Sequence, residues 1–315
     1  MVIDTQNRTF KTLRISLTGL CNLGCVYCVS NNEKKPLYKK KVLSPLEIIT
    51  IVKQLHQTLD LRVIRLTGGE PTLYPALLEL IQGLSQMQVE IKMTTNAFNL
   101  EHLIEPMYTA GLQQLNISLD AISELTFRKI SNRKNLQKIL SNITQCISTG
   151  YDVKLNTVVV KGVNEHEIID ILEYGIANNV PVRFLELMKM GHLFSNGFED
   201  HYFSEYEILE IIKTKYPFIK DLRQAHATAH YFRLSNGYKF GVIANESDPF
   251  CSDCDRLRLD ISGNIYGCLS DNTPIDISED YLQEKVLHEK LILALSQKQS
   301  DYFKGSDLSM LAIGG

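Results

Sequence analysis

The chain has 315 residues, of which 44% are hydrophobic and 22% charged, and its formal net charge is −3. This length accommodates one large domain and a smaller one, and the small net charge excludes a general attraction for nucleic acid or anionic membranes. Residues 1–8 form no apolar signal segment, and no run approaches the ~20 apolar residues of a membrane span. We therefore predict a cytoplasmic enzyme with neither a nucleic-acid nor a membrane partner.

The first two-thirds of the chain alternates strand-like and helix-like segments with short connections. This order predicts a parallel sheet with helices outside it. The predicted strands are Leu13–Thr18, Val63–Thr67, Glu90–Thr95, Gln114–Leu119, Val153–Val160 and Val182–Leu187. Six βα units are too few for a closed eight-stranded barrel, so the predicted fold class is α/β, with a partial (βα)6 barrel.

Helix start signals lie between these strands. Ser44 and Glu47 form a capping box with proline at the first helical position, which predicts a helix to about residue 59. Asn164 with Glu167 predicts another helix, to about residue 178, and Pro75 a third. Residues 100–110 and 135–149 supply two more.

Helical and strand periodicity lapses near residues 190–203, which predicts a domain boundary. Residues 1–194 would form the barrel and residues 195–315 a smaller C-terminal α+β domain. In the latter, a capping box at Ser204 predicts a helix to about residue 215, and a last helix covers about 279–296. Asn-Gly and Gly-Asn turns predict two hairpins between them. Their strands are Tyr231–Leu234 with Tyr238–Ile243, and Arg256–Ile261 with Ile265–Cys268.

The seven cysteines form two groups of three, and Cys146 stands alone on the apolar face of a predicted helix. Clustered cysteines without a secretion signal favour metal ligation over disulfides, and Cys146 is predicted to lie in the core. The first group is Cys21, Cys25 and Cys28, spaced C-x3-C-x2-C after the first strand. Three thiolates can hold three irons of a cubane cluster and leave the fourth iron open. A zinc site completed by a distant ligand is the alternative.

The second group is Cys251, Cys254 and Cys268, spaced C-x2-C-x13-C, again without a fourth ligand nearby. Composition alone leaves two interpretations open, a zinc ion with an exogenous or distant ligand and a second cluster with an open iron.

Tyr27 directly precedes the last cysteine of the first group, and Gly68-Gly69-Glu70-Pro71 follows the second strand. In both features the chain resembles the radical S-adenosylmethionine (SAM) superfamily. The resemblance implies that the open iron binds SAM and that an electron from the cluster cleaves SAM to a 5′-deoxyadenosyl radical.

Further stretches resemble the GTP 3′,8-cyclase family of molybdenum cofactor biosynthesis. They are residues 13–18, 64–71, 116–120, 183–186 and 250–259, and the terminal Ile313-Gly314-Gly315. This resemblance implies two [4Fe–4S] clusters, SAM as cofactor, and the conversion of GTP to (8S)-3′,8-cyclo-7,8-dihydroguanosine 5′-triphosphate. It also implies an electron donor such as flavodoxin or ferredoxin, is compatible with a homodimer, and suggests that the Gly-Gly end enters the active site.

The resemblance assigns roles to individual residues. Cys21, Cys25 and Cys28 would hold the SAM cluster, and Cys251, Cys254 and Cys268 the substrate cluster. The residues implied in SAM binding are Tyr27, Gly69, Ser118 and Met188. Those implied in GTP binding are Arg14, Arg65, Thr94, Lys154, Arg256 and Arg258, of which Arg256 and Arg258 are also candidate catalytic residues.

Residue chemistry is compatible with these roles. A triphosphate carries about four negative charges, and arginine offers planar, bidentate donors for phosphate. Arg14 and Arg65 lie inside apolar strand runs, where an unpaired charge is costly unless it faces a lumen and a partner.

Three segments depart from the family pattern. Thr72-Leu73-Tyr74-Pro75 stands where a basic pair is common, Ala97 replaces the usual glycine, and Ser270 replaces a common aromatic residue. These departures leave open a radical SAM paralogue acting on a peptide or another nucleotide. A separate alternative is a zinc-stabilised binding protein without enzymatic activity.

Overall fold

Six strands of the first two-thirds of the chain are hydrogen-bonded neighbours in chain order, and all are parallel. The structure is a computed structural model that describes residues 2–29 and 42–314. The strands are β1 (Thr12–Ser16), β2 (Val63–Thr67), β3 (Glu90–Thr95), β4 (Gln114–Ser118), β5 (Asp152–Val158) and β6 (Val182–Leu185). In β1, Leu13 and Ile15 are fully buried in the apolar core, whereas Arg14 between them faces a cavity. The predicted parallel sheet is confirmed, and no strand end is shifted by more than two residues.

In the described ranges, six helices connect these strands. They are α1 (Pro45–Leu59), α2 (Leu77–Ser85), α3 (Ile104–Thr109), α4 (Glu124–Ser131), α5 (Leu136–Thr149) and α6 (Ile168–Ala177). The capping box of α1 is confirmed, because the Ser44 and Glu47 side chains each accept a hydrogen bond from the other residue's backbone N–H. Sequence periodicity missed α4, and α2 begins two residues after Pro75.

The predicted cap at Asn164 is wrong. Its side-chain amide donates to the backbone carbonyls of Asp120 and Val158, and its oxygen accepts from the N–H of Val160. The carboxylate of Glu167 accepts a hydrogen bond from the backbone N–H of Ile122. A 3-10 turn, Glu165–Glu167, precedes α6. Both side chains therefore fasten loops at the carboxyl ends of β4 and β5 and do not cap a helix.

The strands of the C-terminal region extend the same sheet at both ends. They are β7 (Phe218–Lys220), β8 (His230–Leu234), β9 (Lys239–Ile243), β10 (Arg256–Asp260), β11 (Asn264–Tyr266) and β12 (Ile275–Asp276). The two predicted hairpins are confirmed, as β8 with β9 and β10 with β11. Strand β10 pairs in parallel with β1, and β9 pairs in parallel with β6. In the described part of the chain, eight parallel neighbours therefore form the centre of a twelve-stranded sheet.

Five further helices complete the chain. They are α7 (His192–Ser195), α8 (Phe198–His201), α9 (Glu205–Lys213), α10 (Glu284–Ser296) and α11 (Met310–Ile313). The capping box of α9 is confirmed, while α10 begins five residues later than predicted. The boundary at residue 194 stays a prediction, because strands from both sides of it share one sheet.

The apolar core packs the outer face of the sheet against the helices. Cys146 on α5 is fully buried in this core, as predicted, and its burial raises the pKa of the thiol to about 12. None of the helices in the described ranges has the length and apolar content needed to cross a bilayer.

Candidate active site

A cavity of about 410 Å³ lies against the inner face of the sheet, and all six clustered cysteines line it. Most other predicted site residues line the same cavity. They are Arg14, Tyr27, Arg65, Gly69, Thr94, Ser118, Met188, Arg256 and Arg258. Lys154 is not among the lining residues, because it lies near the start of β5 with its ammonium 3.6 Å from the carboxylate of Asp152. The structure thus brings the two cysteine groups together, and a GTP-binding role for Lys154 stays a prediction.

The C-terminal end of α4 holds the loop that carries the first cysteine group. Backbone N–H groups of Gly24 and Val26 donate to the carbonyls of Ser131 and Ile130, each at 2.9 Å. The side-chain amide of Asn132 donates to the carbonyl of Gly24 at 2.8 Å. A helix that sequence periodicity missed therefore positions the cysteines.

In the described residues, neither cysteine group has its three sulfurs as close together as a single zinc site requires. Zinc–sulfur bonds of about 2.3 Å place the sulfurs of one zinc site within about 4.6 Å of each other. Over the described ranges, Glu205, His230 and Asp248 have ligand atoms that all lie within 4.8 Å of one another. Neither cysteine group meets this condition. Burial, and more weakly Asp120 and the neighbouring thiols, raises the pKa of Cys25 well above its usual value. A cationic metal core would compensate for ionising these buried thiols.

Tyr27 is fixed by a buried carboxylate. Its hydroxyl donates to Asp120 at 2.8 Å, and the second oxygen of Asp120 accepts from the backbone N–H of Val158 at 2.9 Å. Burial raises the pKa of Asp120 to about 6 although these hydrogen bonds oppose the shift. Asp120 thus orients the aromatic residue beside the first cysteine group.

The Gly-Gly-Glu-Pro segment packs against the cysteine loop. A Cβ on Gly69 would lie 2.2 Å from the carbonyl oxygen of Leu20, and Gly68 has φ +148°. Only glycine fits this approach of two backbones. In the structure Glu70 is buried and accepts hydrogen bonds from Thr72, Thr95 and the backbone of Asn96.

The second cysteine group lies at the start of β10 and after β11. Cys251 begins a 3-10 turn, Cys254 precedes β10, and Cys268 follows β11. Burial raises the pKa of Cys251 to about 12. For Cys254, burial raises the pKa, but the ammonium of Lys298 and the guanidinium of Arg256 outweigh it and bring the pKa to about 7. Positive charge around Cys254 therefore favours a thiolate.

A row of cations crosses four adjacent strands between the two cysteine groups. Strand register aligns Arg258 on β10 with Arg14 on β1, Arg14 with Arg65 on β2, and Arg65 with Lys92 on β3. Burial and, more weakly, neighbouring guanidinium groups lower the pKa of Arg14 well below its usual value and that of Arg65 to about 9. Among the described residues, Arg14 Nε and Arg65 Nη1 have no hydrogen-bond partner. This row is chemically suited to a polyanion.

Sequence reasoning missed three cations of the cavity, Lys92, Arg183 and Lys298, of which the first two lie on strands. Each of these two lies between buried apolar residues of its strand, and Arg183 donates to the side-chain oxygen of Asn156 at 3.0 Å. The same signal that identified Arg14 and Arg65, a cation inside an apolar strand run, identifies them both.

The C-terminal segment reaches the row of cations. Arg258 donates to the carbonyl oxygen of Gly314, and a Cβ on Gly314 would lie 2.4 Å from the hydroxyl of Thr67. The expectation that the tail approaches the site is therefore confirmed for Gly314, whereas Gly315 lies outside the described residues.

Two family models match the chain, the radical SAM superfamily over residues 15–175 and Molybdenum Cofactor Synthesis C over residues 180–304. A GTP 3′,8-cyclase of Helicobacter pylori is 34% identical over 300 residues, which cover 94% of this chain and 92% of the relative. The chain belongs to the GTP 3′,8-cyclase family of radical SAM proteins. A second member, from Synechocystis sp., is 35% identical over 92% of this chain and 89% of its own length.

Solved structures confirm the radical SAM fold. Streptococcus suis SuiB bound to S-adenosylmethionine has a TM-score of 0.67 at 14% identity, covering 92% of this chain and 68% of that protein. Native anSMEcpe with bound AdoMet has a TM-score of 0.61 at 14% identity, covering 91% of this chain and 84% of that protein. At 14% identity the likeness to these structures concerns the fold alone. The GTP 3′,8-cyclases are more similar to this chain in sequence, at 34–35% identity.

Proposed function

We propose that this chain is a GTP 3′,8-cyclase that catalyses the first step of molybdenum cofactor biosynthesis, with two [4Fe–4S] clusters and SAM as cofactors. The substrate is GTP, and the product is (8S)-3′,8-cyclo-7,8-dihydroguanosine 5′-triphosphate. The family match over most of the chain supports the assignment. The single observation that carries it is that both cysteine groups and the row of cations line one cavity.

When bound, the first cluster and SAM supply the radical that removes the ribose 3′ hydrogen of GTP. The protein's own part is to bind, to orient and to exclude water, because a radical reacts with whatever lies nearest. We assign the first cluster to Cys21, Cys25 and Cys28, and SAM contacts to Tyr27, Gly69, Ser118 and Met188.

The second cysteine group and the cations are assigned to GTP. Cys251, Cys254 and Cys268 would hold the cluster beside the base. Arg256 and Arg258 have side chains in the same cavity, and strand register places Arg14 next to Arg258 and Arg65 next to Arg14. We assign the triphosphate to these four arginines, with Thr94 and Lys154 as further contacts.

Three further proposals concern the electron donor, the oligomeric state and the domain boundary. The electron donor is a flavodoxin or a ferredoxin, the protein acts as a homodimer, and residues 1–194 and 195–315 are two domains that share one sheet.

Anaerobic reconstitution tests the proposed function. The protein should bind about eight irons per chain, the stoichiometry of two cubane clusters. With SAM, GTP and a reductant it should form the cyclic triphosphate and 5′-deoxyadenosine. Cleavage of SAM that leaves GTP unchanged would favour a paralogue with another substrate, and a colourless zinc protein would overturn the radical mechanism.

A further inference from the structure

One lysine side chain joins the segments that carry the second cysteine group. Lys298 follows α10, and its ammonium nitrogen lies 2.8 Å from the carbonyl oxygen of Arg256 and 3.0 Å from that of Gly267. The same nitrogen lies 3.5 Å from the sulfur of Cys254. Arg256 follows Cys254 by two residues, and Gly267 directly precedes Cys268. The ammonium therefore fixes the backbone beside two of the three ligands.

These contacts use the full donor capacity of the side chain. A lysine ammonium has three N–H donors and no acceptor, and Lys298 has three acceptors within reach. Two of the cations assigned to GTP differ in this respect, since Arg14 Nε and Arg65 Nη1 have no partner among the described residues. Although Lys298 lines the cavity, it therefore acts on the cysteine segments and not on a phosphate.

Packing holds the ammonium in this position. It lies 5.1 Å from the centroid of the buried Phe10 ring, within cation–π range. A Cβ on Gly267 would lie 1.9 Å from the carbonyl oxygen of Ala294, so the turn before Cys268 presses directly on the last turn of α10. Lys298 follows Ala294 by four residues, and the contact between helix and turn brings its side chain to the cysteines.

We propose that Lys298 is a positioning residue of the second cluster, which holds the Cys254 and Cys268 segments in place and stabilises the reduced cluster through the Cys254 sulfur. The proposal rests on the assignment of a [4Fe–4S] cluster to this site. Hydrogen bonds to ligating sulfurs and nearby positive charge favour the more negative, reduced form of such a cluster. The reduction potential of the second cluster should therefore depend on the charge of Lys298.

The test uses the full chain with Cys21, Cys25 and Cys28 replaced by serine, so that the second cluster alone contributes. Lys298→Met keeps the apolar stem without donors, Lys298→Gln keeps amide donors without charge, and Lys298→Arg keeps both. Lys285→Met, at an exposed position on the preceding helix α10, is the matched control. Each reconstituted protein is assayed for iron and titrated with dithionite, which supplies the electron, while the reduced cluster is followed by electron paramagnetic resonance.

We expect lower midpoint potentials for Lys298→Met and Lys298→Gln, a smaller change for Lys298→Arg, and none for Lys285→Met. Equal potentials in Lys298→Met and the parent would overturn the proposal, whatever their iron content. If Lys298→Met holds no iron, a lower potential in Lys298→Gln than in Lys298→Arg supports it, and equal potentials overturn it. Loss of iron from all three variants, Lys298→Arg included, would also overturn it, because side-chain shape and not charge would then decide.

The experiment needs neither SAM nor GTP. A failure to convert GTP would therefore leave this result standing. Absence of iron from the parent itself would remove the second cluster and, with it, the role of Lys298.

Discussion

At the residue scale, the row of arginines stores unfavourable electrostatic energy that an anion would relieve. Arg14, Arg65 and Arg258 lie side by side in register, and burial is the largest cause of their lowered pKa values. Buried charges without partners destabilise a fold, and binding sites are where proteins retain them. The same residues should therefore lower the stability of the free protein and favour nucleotide binding.

Replacing Arg65 with methionine should separate these two effects. We expect GTP binding to weaken by at least about tenfold, since a hydrogen bond to a charged group contributes about 1.5–3 kcal/mol. The melting temperature of the nucleotide-free protein should stay the same or rise, because a buried unpaired charge is removed. Binding of labelled GTP and thermal unfolding measure the two effects.

The control for this prediction is Arg62→Met, which removes an exposed arginine paired with Asp60. It should leave GTP binding unchanged. A clear loss of stability in Arg65→Met, with normal binding of GTP, would show that Arg65 has a structural role and no contact with the triphosphate.

The N-terminal segment offers a prediction about pH. Arg8 is buried, donates to Asp4, and also donates to the carbonyls of Cys251 and Gln299. Burial raises the pKa of Asp4. Hydrogen bonds from the backbone of Arg8 and Gln6 and from the Arg8 side chain outweigh burial and keep this pKa below its usual value. Because the folded-state pKa is lowered, the pair contributes stability above the unfolded-state pKa of about 3.9 and loses it as the pH falls through the folded-state pKa.

Asp4→Asn should therefore lower the free energy of unfolding of the metal-free protein at pH 7, by about 1–3 kcal/mol. The difference from the parent should shrink below about pH 4, where the parent's Asp4 becomes protonated. Chemical denaturation at several pH values measures it. Asp60→Asn, which breaks exposed ion pairs, is the control and should have little effect. A difference that persists unchanged at low pH would exclude the ion pair as its cause.

At the scale of elements, helix α4 supports the first cysteine group, although its sequence did not reveal it. Asn132 ends the helix in a left-handed conformation with φ +54° and donates to Gly24 in the cysteine loop. Asn135, three residues later, is exposed like Asn132 and also has positive φ. The two asparagines therefore form a matched pair for substitution with glycine, which accepts positive φ without strain.

Asn132→Gly should weaken retention of the first cluster, because the loop loses a 2.8 Å hydrogen bond. We expect a chelator to remove iron from the first cluster several times faster than in the parent, while the second cluster is released at the parental rate. Asn135→Gly should behave like the parent. If both variants release iron from the first cluster at the same rate, the hydrogen bond from Asn132 has no such role.

At the scale of the molecule, the sequence predicted the parallel strands and which polar residues follow them, because alternation of buried residues and strand ends are local signals. It did not reveal that β10 and β9 continue the sheet beyond β1 and β6. Pairing between strands distant in the chain, as between Leu13 and Leu257 or between Arg183 and Gly241, leaves no local pattern. Lys298 was missed for the same reason. Its partners near residues 254 and 267 are distant in the chain and come together only in the fold.

We propose that two clusters, each with one open iron, face one cavity, and electron paramagnetic resonance of the reduced protein can detect both of them. SAM should change the spectrum of the first cluster and GTP that of the second. Replacing Cys21, Cys25 and Cys28 with serine should abolish the response to SAM and preserve the response to GTP. A second cluster that does not respond to GTP, or a single cluster that responds to both ligands, would show that the two ligands do not bind to separate clusters.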